Sequence, residues 1–138
     1  MMFASAAVYY RTTLQPTIAL SSTEAEFMNM TDAGKAALYL RLILEDLQII
    51  QTQPTEILAD NTGAIQLCNA GKPTRRTRHV EQKQFIILQW TDDEYIKFIQ
   101  TPTDSNYSDT LSKQTARTKF YKHTDVFMGR CKPCYIYK

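Results

Sequence analysis

The strongest hydrophobic pattern in the chain is a helical one between residues 23 and 47. Apolar residues recur there at intervals of three and four positions: Phe27, Met30, Ala33, Ala37, Leu40, Leu44 and Leu47. This spacing predicts one long amphipathic helix over residues 23–47. Thr23 and Glu26 have the spacing of a capping box, which predicts that the helix begins at this point.

Shorter patterns on either side of this helix predict strands and further helices. The β-prone or alternating runs that predict strands are residues 8–10, 17–20, 55–59 and 95–100. The runs that predict helices are residues 63–69, which Asn61 or Thr62 can cap, 78–91 and 109–113. Because strands alternate with helices, an α/β fold with at least one parallel pair of strands is expected.

Length and composition indicate one globular domain. The chain has 138 residues, 43% of them hydrophobic and 22% charged, which excludes the disordered class. Three cysteines cannot form an all-paired disulfide framework. We interpret the Cys131-x-x-Cys134 spacing as a chance pair. No apolar run is long enough for a membrane span, so no membrane partner and an intracellular location, in the cytoplasm or the nucleus, are expected.

Basic residues are clustered although the net charge is only +2. One group precedes the predicted helix 78–91 or lies at its start: Lys72, Arg75, Arg76, Arg78 and His79. A second group lies near the C-terminus: Arg117, Lys119, Lys122, His123, Arg130 and Lys132. The first group is compatible with phosphate contacts and equally with a solvated loop.

Three carboxylates lie where a metal site of an α/β protein is expected. Glu26 lies in the first turn of the long helix, Asp60 directly follows a predicted strand, and Asp109 begins a short helix. Ligands bind at the carboxyl ends of the strands in open α/β sheets, and Mg²⁺ prefers oxygen ligands together with substrate phosphate. From the residues alone, helix capping and the helix dipole are the favoured explanation of Glu26, and Asp60-Asn61 also makes a good turn.

Five segments resemble, in order, the ribonuclease H domain of copia-type retrotransposon polyproteins. They are residues 15–28, which contain Ser21-Ser22-Thr23-Glu24-Ala25-Glu26-Phe27-Met28, and residues 36–47, 60–65, 76–80 and 108–113. The resemblance covers residues 8–113 and implies a ribonuclease H-like mixed sheet with flanking helices. Residues 114–138 lie outside it and are expected to form a divergent, loose tail.

The resemblance implies an activity and a site. It matches Glu26, Asp60 and Asp109 to three of the four carboxylates that hold two Mg²⁺ ions, with Mn²⁺ as a substitute, and it implies cleavage of the RNA strand of RNA–DNA hybrids. Glu24 is the neighbour most easily confused with Glu26, which directly precedes Phe27-Met28. The nucleic-acid contacts that it implies are Asn61, Lys72, Arg75, Arg76, Arg78 and His79. A further implied partner is the reverse transcriptase portion of the same polyprotein.

The first catalytic aspartate of the family lies upstream of the motif around Glu26, and this sequence has no Asp or Glu before Glu24. We therefore expect a fold truncated at its N-terminal edge and an impaired activity. The alternative is a catalytically inactive remnant that at most binds nucleic acid. A third hypothesis, based on the divergent residues after Lys113, is a host-adopted interaction module.

Overall fold

The chain forms two units in the computed structural model, which describes residues 1–3, 6–14, 18–19, 21–69 and 86–131. One unit is Thr17–Thr101, and the other joins Met1–Pro16 to Pro102–Lys138. The strands are β1 (Met2–Phe3), β2 (Ala6–Ala7), β3 (Thr55–Ala59) and β4 (Ile96–Gln100). The helices are α1 (Ser22–Asp46), α2 (Thr62–Asn69), α3 (Ile86–Asp92), α4 (Asp109–Ser112) and α5 (Arg117–Phe127).

Helix α1 is the central element of the unit Thr17–Thr101. The predicted helix 23–47 is confirmed, and it packs against α2, α3, β3 and β4. Its buried positions follow the helical repeat: Phe27, Met30, Thr31, Gly34, Ala37 and Leu44. The predicted capping box is wrong by two residues, because Ser21, in an extended conformation, accepts the hydrogen bond from the Glu24 amide at 3.1 Å.

The sheet of this unit confirms the predicted α/β class and the parallel pair. Strands β3 and β4 run parallel, with Thr55 opposite Ile96 and Ala59 opposite Gln100. Ile96 and Phe98 are buried, while Lys97 between them is exposed, as expected for a strand with one face on the core. Because the strands are parallel and in register, their carboxyl ends reach the same edge of the sheet.

Arg41 fixes the loop between α1 and β3. Its guanidinium donates hydrogen bonds to the carbonyls of Gln53 at 2.8 Å and Gln51 at 2.9 Å, and to the hydroxyl of Thr55 at 3.2 Å. A planar guanidinium can serve several acceptors at once, whereas a lysine offers a single ammonium. The start of β3 is therefore held by the helix that precedes it.

The other unit combines a small antiparallel pair, β1 and β2, with α4 and α5. His123 of α5 is fully buried, and its Nδ1 lies 2.5 Å from the hydroxyl of Thr110. Its ring packs edge-on against Tyr107, with the ring centroids 4.9 Å apart. Burial lowers the pKa of His123, and the charges of Lys119 and Lys122 act in the same direction. A neutral imidazole thus joins α5 to α4.

Several predictions outside the central helix differ from the structure. Residues 8–10 are exposed and are not part of a strand. Strand β2 ends at Ala7, and beyond it the backbone of Val8 and Tyr9 bonds to a single residue, Met1, among the described ones. Residues 18–19, the described part of the predicted strand 17–20, also have no regular structure. The predicted tail 114–138 contains helix α5, whose His123 and Val126 are buried. The predicted helix 78–91 is described only as α3, since residues 70–85 lie outside the described ranges.

None of the helices within the described ranges is both long enough and apolar enough to span a membrane.

Candidate active site

A cleft in the unit Thr17–Thr101 brings Glu26 and Asp60 together. It has a volume of about 240 Å³, and its lining residues are Ser22, Glu26, Asp60 and Asn61. Ser22 and Glu26 are four residues apart in the first turns of α1 and therefore lie on the same side of that helix. Asp60 directly follows the buried end of β3. A helix start and a strand end thus supply the two carboxylates.

Asn61 fixes the chain beside Asp60. Its side-chain oxygen accepts a hydrogen bond from the Ala64 amide at 3.0 Å, which confirms the predicted cap of α2. Its carbonyl accepts a bond from the Ile65 amide at 3.1 Å. Asp60 therefore lies between two regular elements, β3 and α2, that both restrict its backbone. A contact between Asn61 and nucleic acid stays a prediction.

Gly63 allows α1 and α2 to approach each other at the cleft. A Cβ atom at this position would lie 3.3 Å from the Asn61 side-chain oxygen and 3.4 Å from Cγ2 of Thr23. Thr23 belongs to the same first turn of α1 as Ser22 and precedes Glu26 by three residues. The small residue at the start of α2 thus lets this helix lie close to the first turn of α1, beside the cleft.

Replacing Gly63 with valine is expected to lower the free energy of unfolding by about 1–3 kcal/mol, because the branched side chain forces α2 away from Thr23. Urea unfolding of the purified chain measures the change. The matched control is Gln66→Val, at an exposed position of the same helix, which is expected to cost at most about 0.5 kcal/mol. Equal stability of the Gly63→Val and Gln66→Val variants would contradict the close approach.

The donor chemistry of the cleft suits a hard cation. All four lining residues offer side-chain oxygen, and no thiol or imidazole is among them. Mg²⁺ takes one or two protein carboxylates, keeps several waters and completes its shell with substrate phosphate, so Glu26 and Asp60 fit this requirement. Within each unit taken by itself, the described residues form no cluster of three or more His, Cys, Asp or Glu side chains that could hold a metal.

Asp109 lies in the other unit. It begins α4, as predicted, and only 7% of its surface is exposed. Its carboxylate oxygen is 3.0 Å from the ammonium of Lys113, one helical turn later. Its predicted role as a metal ligand stays a prediction. The basic residues predicted to contact nucleic acid, Lys72, Arg75, Arg76, Arg78 and His79, lie outside the described residues.

The sequence of the chain is similar to those of several known proteins. The chain is 32% identical over 118 residues to the retrovirus-related Pol polyprotein from transposon TNT 1-94 of Nicotiana tabacum. It is 28% and 26% identical over 106 residues to those from transposons RE1 and RE2 of Arabidopsis thaliana. The chain is homologous to retrotransposon Pol polyproteins. This similarity supports the polyprotein part of the resemblance.

The homology concerns a small part of each relative. The aligned residues are 86% of this chain but 9% of the TNT 1-94 polyprotein, and 77% of this chain but 7% of each RE polyprotein. No protein-family model matches the chain. No solved structure matches it either.

Sequence reasoning missed Ser22 as a lining residue of the cleft. Its spacing of four residues from Glu26 was the available signal, but the predicted helix began one residue later, at Thr23. Cys68 is not a candidate functional residue. Burial raises the pKa of its thiol to about 12, which makes it a poor metal ligand or nucleophile at neutral pH. Cys131 is exposed, and Cys134 lies beyond the described residues, so the interpretation of this pair stays a prediction.

Proposed function

We propose that this chain is a ribonuclease H-like domain of a retrotransposon Pol polyprotein, and that its reaction is the Mg²⁺-dependent hydrolysis of the RNA strand of RNA–DNA hybrids. One observation carries the proposal: Glu26 and Asp60, predicted as metal ligands, line one cleft at the carboxyl end of β3. Homology to retrotransposon Pol polyproteins supports it.

The residues of the cleft have separate tasks in this reaction. Glu26 and Asp60 would hold the Mg²⁺ ion, which would act as a Lewis acid and promote ionisation of a water molecule. Ser22 offers a hydroxyl that can donate a hydrogen bond to a phosphate oxygen of the substrate. Asn61 keeps Asp60 in place through its cap on α2. Hydrolysis joins the water oxygen to phosphorus as the bond from phosphorus to the ribose oxygen breaks, and that oxygen then takes up a proton.

Substrate binding requires contacts beyond the cleft. The basic residues 72–79 are proposed to contact the phosphates of the hybrid, since such contacts need no base sequence. The reverse transcriptase portion of the same polyprotein is the proposed partner, because it makes the hybrids that this reaction consumes. These assignments extend the proposal for the cleft and are tested separately from it.

A second candidate function is nucleic-acid binding without cleavage. It is favoured by the cleft itself, whose lining residues supply two carboxylates, those of Glu26 and Asp60. It is also favoured by the ion pair that engages Asp109 with Lys113. A site with too few carboxylates binds a second ion weakly, while its basic residues still attract phosphate.

The deciding experiment is cleavage of a labelled RNA–DNA hybrid by the purified chain with Mg²⁺ or Mn²⁺. We expect cleavage by the wild-type chain and its loss in Asp60→Asn, because the substitution removes a carboxylate from the ion site. The matched control is Asp93→Asn, at an exposed position after α3, which should cleave at the wild-type rate. Circular dichroism verifies that all three proteins are folded.

Each other outcome is informative. Hybrid binding in Ca²⁺ without cleavage by a folded wild-type chain would replace the hydrolase proposal with the second candidate. Neither binding nor cleavage would overturn both. Cleavage that survives Asp60→Asn would show that the reaction does not use this cleft, and the proposed site would be wrong.

A further inference from the structure

Helix α5 exposes two aromatic rings next to a guanidinium. Phe120 is 46% and Tyr121 is 54% exposed, and their ring centroids are 5.9 Å apart at an interplanar angle of 76°. The guanidinium carbon of Arg117 lies 5.7 Å from the centroid of the Tyr121 ring. Residues four apart on a helix lie on the same side, so this cation–π contact places Arg117 and Tyr121 together on the solvent face.

Residues 102–131 carry more cationic than anionic side chains, and the cations without an anionic partner lie on α5. The acidic residues among residues 102–131 each form an ion pair, Asp104 with Lys119 at 3.4 Å, Asp109 with Lys113 at 3.0 Å and Asp125 with Arg130 at 3.2 Å. Among the described residues, Arg117 and Lys122 have no acidic side chain within 4.0 Å. Their charges are thus available to an anionic ligand.

The opposite side of α5 is fixed. His123 and Val126 are buried, and the ring nitrogens of His123 contact the Thr110 hydroxyl at 2.5 Å and the Asp104 carbonyl at 3.4 Å. The exposed rings therefore belong to a helix whose rotation about its own axis is restricted. A rigid display of aromatic rings lowers the entropy lost when a ligand binds.

We propose that Arg117, Phe120, Tyr121 and Lys122, here named the α5 platform, bind a single-stranded nucleic acid. Bases stack on the rings of Tyr121 and Phe120, and Arg117 and Lys122 contact phosphates. Stacking on these rings needs unpaired bases, since the faces of the bases in a duplex are covered by the neighbouring base pairs. The platform goes beyond the proposed function, as it uses no residue of the cleft and no cleavage.

Aromatic residues and arginine are also common at protein interfaces, so the charge balance decides between the two ligands. Among residues 102–131, the two Lys and Arg side chains without an acidic partner lie on the same helix as the exposed rings, and each acidic residue is already paired. A polyanion with flat apolar groups matches this surface better than a neutral protein surface does.

The test is fluorescence anisotropy with a labelled oligothymidylate in EDTA, which excludes cleavage. Tyr121→Ala is expected to weaken binding by about fivefold to a hundredfold, while Tyr121→Phe retains the ring and most of the affinity. Lys122→Gln is expected to lower the slope of log K against log salt by about 0.7. Tyr39→Ala, an exposed tyrosine of α1, is the control and should bind as the wild type does.

Three results would overturn the platform. They are wild-type affinity in Tyr121→Ala, affinity insensitive to salt, and a loss of duplex affinity in Tyr121→Ala as large as its loss of oligothymidylate affinity. Far-UV circular dichroism of Tyr121→Ala must match the wild type for its loss of binding to count. Because Asp60→Asn should bind the oligonucleotide normally, failure of the hydrolase proposal and failure of the platform are distinguishable.

Discussion

Glu26→Gln is expected to lower hybrid cleavage about a hundredfold or more, whereas Glu24→Gln should retain most of the activity. The reason is geometric. Glu26 lines the cleft with Asp60, but Glu24 does not. Two residues along an α-helix correspond to a rotation of about 200°, so Glu24 points to the opposite side of α1. Initial rates on a labelled hybrid, measured for both variants at saturating Mg²⁺, give the comparison.

This pair of variants also separates catalysis from helix stability. Both acids lie near the start of α1, where negative charge is stabilised by the helix dipole by at most about 1 kcal/mol. Similar losses of stability are therefore expected for both substitutions, and thermal unfolding measures them. A larger loss of activity in Glu24→Gln than in Glu26→Gln would assign the metal-binding role to Glu24.

Phe27→Ala is expected to lower the free energy of unfolding by about 3–5 kcal/mol, the second large effect. Phe27 follows Glu26 directly and is 1% exposed, in the face of α1 that packs against the rest of its unit. Its removal leaves a cavity that rigid neighbouring elements fill only in part. Urea unfolding followed by circular dichroism measures the loss, and cleavage should fall as well because α1 carries Glu26.

Tyr39→Ala is the matched control on the same helix, since Tyr39 is 68% exposed. It is expected to change stability by at most about 0.5 kcal/mol. If Phe27→Ala unfolded at the same urea concentration as Tyr39→Ala, the packing of α1 described above would be contradicted.

The sequence predicted the elements whose patterns agree with local and tertiary forces. Helix α1 was predicted to within one residue at each end because its buried positions repeat every three or four residues. Strands β3 and β4 and the start of α4 at Asp109 were predicted for similar reasons. The cap of α1 was misplaced because residues 21–23 are all good capping residues, and the sequence alone does not show which one adopts an extended backbone.

Other features depend on information that hydrophobic patterns do not contain. Residues 8–10 are β-prone, but β propensity reflects side-chain packing on a sheet, and here these side chains are exposed. Helix α5 was missed because Phe120 and Tyr121 face solvent while a histidine occupies a buried position. In the cleft, the predicted positions of Glu26 and Asp60 made them candidate metal ligands. The family resemblance then favoured this role over helix capping.

Strand β3 is held at both ends, which has a consequence for how the site tolerates change. Arg41 holds the residues before β3, and Asn61 anchors the chain just after Asp60. Because the chain is anchored on both sides of β3, an insertion or deletion inside residues 55–59 is expected to displace the carboxylate of Asp60. A substitution there changes packing or, at Thr55, the hydrogen bond with Arg41, but it leaves the spacing between the two anchors unchanged. The position of the Asp60 carboxylate is therefore expected to depend more on the length of this strand than on its composition.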